Sequence, residues 1–100
     1  MIHHVVLWKL LDGENGKSKE ENFQLINGLL SALPPLIPEL RSLSVVKNEN
    51  PVASNMDVAL LTTFDNMEDL NTYVNHPEHV KVGPSIRSAV SARSAIDYQI

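Results

Sequence analysis

From residue 2 to residue 10 the chain alternates in the strand period, with His4, Val6, Trp8 and Leu10 in one phase and Val5 and Leu7 in the other. A turn signal follows at Asp12-Gly13-Glu14-Asn15-Gly16. Ser18-Lys19-Glu20-Glu21 then has the spacing of a capping box, in which a serine hydroxyl and a glutamate three residues on satisfy each other's free amides. Phe23, Leu25, Ile26, Leu29, Leu30 and Leu33 repeat at the helical period after it, until Pro34 and Pro35 stop the helix. A second strand is expected over 41–48, carried by Leu43, Val45 and Val46, and a third over 57–64. Asp65 or Asn66 can cap a second helix striped by Met67, Leu70, Tyr73 and Val74. That helix must end near Asn75 or His76, because the residue before Pro77 is pushed out of the helical region. Pro77 can start another turn, which Gly83-Pro84 interrupts before one or two more helical turns through Ile86, Ala89 and Val90. A last strand is expected over 92–100.

The order strand, helix, strand, strand, helix, strand is the split βαβ arrangement of a ferredoxin-like α+β sandwich, with helices on one face of a four-stranded antiparallel sheet. The uncovered face should then be polar in a monomer. It is not: Val5 and Leu7 on the first strand, and Ala59 and Leu61 on the third, lie opposite Val6, Trp8, Val58 and Leu60. Two apolar sheet faces and one helical layer leave a surface to be covered, and the simplest cover is a second copy, sheet on sheet.

Composition narrows the picture. One hundred residues suit one domain, 1–100, near the size where a partner subunit helps. A net charge of −4 argues against nucleic acid, since no basic patch faces phosphate. The absence of cysteine excludes disulfides, thiolate metal sites and cysteine nucleophiles. No leader-like segment and no apolar run of spanning length are seen, so a cytoplasmic protein without a membrane partner is expected.

Chemistry-bearing residues concentrate in Tyr73-Val74-Asn75-His76-Pro77-Glu78-His79-Val80, a phenol and two imidazoles about one helical break. Here the sequence resembles the stress-responsive A/B barrel family, Dabb, of the dimeric α/β-barrel superfamily, over nearly its whole length. The resemblance runs through His4-Val5-Val6-Leu7, the stretch from Ile37 to Leu43, Phe64, Tyr73, His76-Pro77-Glu78-His79-Val80, Arg87-Ser88 and Asp97-Tyr98. Membership implies a ferredoxin-like protomer whose sheet pairs with a partner's to form a barrel. A plant branch of the family is a polyketide cyclase that works by aldol condensation without a cofactor. Its catalytic His and Tyr and a further pocket His match His79, Tyr73 and His4, whereas Val90 stands where that branch has a tryptophan.

The residues themselves leave two readings open. His79, two residues after Pro77, falls in the first turn of a short helix, where the helix N-terminus disfavours imidazolium and keeps the ring available as a base. With Tyr73 as hydrogen-bond donor it could remove a proton α to a carbonyl, as a cofactor-independent cyclase, isomerase or lyase does. The expected pocket, between sheet and helices, draws on His4, Val6, Trp8, Phe23, Ile26 and Val90, and Arg87 and Arg93 could steady an anionic ligand. In the other reading His79 satisfies a backbone group at the break, Tyr73 packs with its hydroxyl at the surface, and the protein is a non-catalytic stress-responsive dimer. His76 reads as a cap or hinge. No metal site is expected, because pairing His76 with His79 needs a continuous helix and no third ligand is evident. Asp97 and Tyr98 read as sheet and interface residues. A haem-degrading role, known elsewhere in the superfamily, lacks its Asn-Trp-His set here.

Overall fold

The computed structural model describes residues 1–100. Its elements are β1 (Ile2–Leu10), α1 (Lys19–Ser31), a single 3-10 turn (Pro34–Leu36), β2 (Ser42–Lys47), β3 (Val58–Phe64), α2 (Met67–Asn75), α3 (Pro77–Arg87) and β4 (Val90–Gln99). The four strands form one antiparallel sheet in the order β2-β3-β1-β4. This is the ferredoxin-like split βαβ, with a third helix inserted before the last strand.

Local sequence explains how the helices begin. The Ser18 hydroxyl accepts from the Glu21 amide at 3.1 Å, and the Glu21 carboxylate accepts from the Ser18 amide at 2.9 Å, so the capping box forms as the spacing requires. Asn66 caps α2 by accepting from the Asp69 amide at 2.8 Å. Along α1, Phe23, Ile26 and Leu30 are buried against the sheet, while Leu25 and Leu29 pack at the edge of the same cluster. Each of the fully buried leucines and isoleucines stabilises the fold by roughly 1.5–3 kcal/mol.

Two local expectations are corrected. Gly83-Pro84 does not interrupt the chain: α3 runs unbroken through both to Arg87. Proline removes one helical bond, here the one Val80 would accept, and both residues sit on the exposed side of the helix, where solvent can take its place. Nor does a helical turn continue to Val90. The Ala89 amide still bonds to the Ile86 carbonyl at 3.0 Å, but Val90 already opens β4.

Where β4 leaves α3 its pairing with β1 slips. Lys9 faces Ala92 and Leu10 faces Val90, so Ser91 is the extra residue of a bulge. The even-numbered residues of β1, from Ile2 to Leu10, all point into the helical layer and are buried. The helices cover β2, β3 and β1 but leave β4 uncovered, and its residues after Val90 are exposed on both faces. The helix side of the β1–β4 edge is therefore open, and there the cavity forms.

Candidate functional site

His4, Val6 and Trp8 project in register from the inner face of β1 and form the floor of a cleft of about 610 Å³. Leu30 and Leu60 extend that floor, α3 supplies His79, Val82, Gly83, Ile86 and Arg87 as one wall, and the bulged start of β4, Val90 to Arg93, supplies the other. Of the residues expected in the pocket, His4, Val6, Trp8, Val90 and His79 meet around this space. Phe23 and Ile26 do not. Phe23 lies under the Lys47 ammonium, 4.6 Å from its ring centre, beside a separate cleft of about 470 Å³. Ile26 is closed within the core. Phe23 thus faces Lys47 of β2, whereas the cavity opens over β1 and β4.

The break between α2 and α3 positions the two histidines. His76 takes extended backbone angles (φ −64°, ψ 136°), as a residue before proline must, and thereby ends α2 and caps α3. Its Nδ1 accepts from the Glu78 amide at 3.1 Å, which is the cap expected of it. His79, one turn on, is carried back over the end of α2, where its Nδ1 lies 3.0 Å from the Val74 carbonyl oxygen. A carbonyl only accepts, so Nδ1 carries the hydrogen and the neutral ring keeps its lone pair on Nε2. Burial pushes the His79 imidazolium below the usual 6.5; the Val74 carbonyl opposes this, and the nearby His4, Arg93 and His76 add to the depression.

Tyr73 is wholly buried, so its hydroxyl is not at the surface, where the non-catalytic reading places it. Its ring packs on Phe64 (5.1 Å between ring centres) and His79 (4.5 Å), with the edge of His4 at 6.3 Å. The hydroxyl has no hydrogen-bond partner, and burial pushes its pKa up to about 12. Tyr73 does not line the cavity itself but stands behind its wall, its ring against that of His79 and near that of His4, which do line it.

Asp97, expected in a sheet and interface role, lies in the sheet but on its inner face, and its partnership with His4 is what sequence reasoning missed. It faces His4 across the β1–β4 ladder, on the helix side, and its carboxylate accepts from the His4 Nδ1–H. Asp97 thus fixes the His4 ring and leaves its Nε2 as the remaining nitrogen. The signal was parity: Arg93 and Asp97 share a phase in β4, but only the register with β1 shows that this phase meets His4 and Trp8. Arg93 pairs in register with Trp8, and Arg87 lies over Gly83. No three histidine, aspartate or glutamate side chains converge as metal ligands. No helix is long and apolar enough to cross a membrane.

A split βαβ sheet with an open inner edge and an apolar outer face defines a ferredoxin-like α+β protein of the kind that solved relatives show as dimers. The chain belongs to the stress responsive A/B barrel domain family, Dabb, whose family model matches residues 2–100. It is similar to a dimeric protein of unknown function and ferredoxin-like fold from Bacteroides fragilis, at 32% identity over 99% of this chain and 95% of that one, with a TM-score of 0.87. A dimeric ferredoxin-like protein of unknown function from Thermobifida fusca is 26% identical over 99% and 90% of the two chains, with a TM-score of 0.81. The hydroxynitrile lyase from Passiflora edulis shares the fold, with a TM-score of 0.82 over 99% and 92% of the chains, at 17% identity. No curated protein matches the chain by sequence.

Proposed function

We propose that the cleft over β1 and β4 is the site of a cofactor-independent acid–base catalyst acting on a small carbonyl compound. His79 Nε2 removes a proton from the carbon next to the carbonyl, and the electron pair of that C–H bond moves onto oxygen as an enolate. Tyr73 donates its hydrogen bond to that oxygen, and the proton returns from His79 to complete an isomerisation, or serves a bond-making or bond-breaking step of a cyclase or lyase. Proton transfer of this kind needs no redox partner. The observation that carries the reading is the Tyr73 hydroxyl, buried without a partner against the ring of a histidine that is itself held neutral. An orphaned buried hydroxyl costs about 1–3 kcal/mol, a cost that a structural tyrosine would avoid by being phenylalanine. A ligand oxygen that reaches the Tyr73 hydroxyl beside the His79 ring supplies the missing partner while Nδ1 stays bonded to the Val74 carbonyl; catalytic contacts commonly close only when substrate is bound.

The same reading includes a homodimer through the outer sheet face, where Val46, Leu61, Ile96 and Tyr98 are exposed together. A non-catalytic dimer is the competing function, and it is favoured by the position of Tyr73 behind the cavity wall rather than in it. Deuterium exchange next to the carbonyl, followed by NMR for a panel of small ketones and keto acids, separates the two. The catalytic reading expects exchange above the solution rate that His79→Ala and Tyr73→Phe both lose. Wild-type protein that binds panel members without exchanging any of them would leave only the dimer.

A further inference from the structure

We infer that the occupant of the cavity is an anion, a compact apolar body carrying a carboxylate that Arg87 and Arg93 hold at the mouth. This rests on the cleft being a ligand site and names the class of compound it takes. The chain has eight lysines and arginines. Lys9, Lys19, Arg41, Lys47 and Lys81 each pair with a carboxylate of the chain, which leaves Lys17, Arg87 and Arg93. Two of these three border one cavity, from opposite walls.

Their placement has structural causes. Arg93 lies in register with Trp8, so it leaves β4 on the face that forms the cavity floor. Arg87 folds back along α3 over Gly83, where an added Cβ would stand 3.0 Å from its Nη1. The missing side chain at Gly83 is what lets the guanidinium lie against the wall. The carboxylates nearest in sequence and sheet position are already engaged, Asp97 by His4 and Glu78 by Lys81. Both guanidiniums therefore keep their full set of N–H donors, in the forked geometry that matches a carboxylate. Between them the cavity is lined mainly by Val6, Trp8, Leu30, Leu60 and Ile86, which suits an aliphatic or aryl body.

The test is equilibrium binding of β-benzoylpropionate and of its neutral methyl ester, by titration calorimetry, to the full chain and to Arg87→Gln, Arg93→Gln and the double variant. Both arginines are exposed, so the variants should keep the wild-type melting temperature. The acid is expected to bind about tenfold or more tightly than the ester, since a charge-assisted bond is worth that factor. The preference should shrink in each single variant, vanish in the double variant and weaken with salt. An ester bound as tightly as the acid, a preference that survives in the double variant, or no binding of either compound overturns the anchor. So does a double variant that loses dimer stability while keeping acid affinity, because the arginines would then be pairing with the partner copy. Deuterium exchange beside the ketone is read separately. Exchange of both compounds without a preference for the acid would spare the catalytic reading and end this one; tight binding of the acid without exchange would do the reverse.

Discussion

The Tyr73 hydroxyl has no hydrogen-bond partner, although its ring lies 4.5 Å from that of His79, centre to centre. The two side chains come from different helices, α2 and α3, and meet because Pro77 turns the chain back on itself. Packing contact without a hydrogen bond is an unusual state for a phenol buried this completely. It makes the pair a place where stability and activity should respond in opposite directions.

Tyr73→Phe is expected to stabilise the protein by about 1 kcal/mol, since it deletes an unsatisfied buried hydroxyl and keeps the ring packing on Phe64 and His79. The same substitution should abolish carbonyl-dependent proton exchange. A second signature lies at high pH. The folded-state pKa is raised from 10.0 to about 12, so the stability associated with the neutral phenol is complete below pH 10 and is lost as pH rises through 12. That loss, on the order of 2 kcal/mol, should be absent from the phenylalanine variant. Denaturant melts across this range measure both; a destabilised Tyr73→Phe would mean that the hydroxyl has a partner after all.

His79 makes a prediction at the acid end. Its folded pKa is depressed below 6.5, chiefly by burial, so the folded state binds fewer protons than the unfolded chain there. The contribution to stability is full above 6.5 and is lost as pH falls through the depressed folded value. If His79 is the base, the acid limb of the exchange rate should also fall below 6.5, because Nε2 stays unprotonated further into acid than in a free imidazole. NMR titration of the His79 ring gives its pKa directly. An acid limb at or above 6.5, out of step with that titration, would remove His79 from the base role.

How far the sequence speaks for the structure depends on the range of the interaction. The capping box at Ser18 and Glu21, the alternation of β1 and the end of α2 before Pro77 are set by neighbours within a few residues, and all three appear where the pattern placed them. Pro84 was misleading because a proline's effect depends on which side of the helix faces solvent, and that is set by packing. Phe23 and Ile26 share a stripe with Leu30, yet only Leu30 reaches the cavity, since periodicity gives the buried side of a helix but not what each part of that side packs against. Asp97 was illegible for a related reason. Its partner His4 is ninety-three residues away, and the two meet only through the β1–β4 register. The family motif drew attention to His79 and Tyr73, but that the phenol is buried and orphaned is a fact of packing alone.

Asp97→Asn should release His4 without emptying the site. The wild-type carboxylate holds the hydrogen on Nδ1, whereas an amide can either donate to that nitrogen or accept from it. Neutral His4 is then expected to populate both tautomers, visible in the nitrogen shifts and couplings of the ring. The fold should lose about 1 kcal/mol, less than a fully buried charged bond would cost because the carboxylate is partly exposed. A single unchanged tautomer in the variant would show that some other group orients His4.

The outer sheet face gives the last prediction. Leu61, Val5 and Ile96 form a row across β3, β1 and β4, and the exposed Val46 and Tyr98 flank it. Ile96 is 60% exposed in the single chain, so a charge there disturbs little of the protomer but stands at the centre of any sheet-on-sheet contact. Wild-type protein should scatter light as a particle of twice the 11.1 kDa chain mass, in keeping with the dimeric relatives. Ile96→Glu, and more strongly Leu61→Glu with Ile96→Glu, should shift it to the chain mass while the far-ultraviolet circular dichroism stays that of the folded protomer. Two apposed copies would bring four carboxylates into one apolar contact, and burying unpaired charge is far costlier than any methylene contact it replaces. A double variant that remains dimeric would place the interface elsewhere, and the uncovered edge of β4 would be the next surface to test.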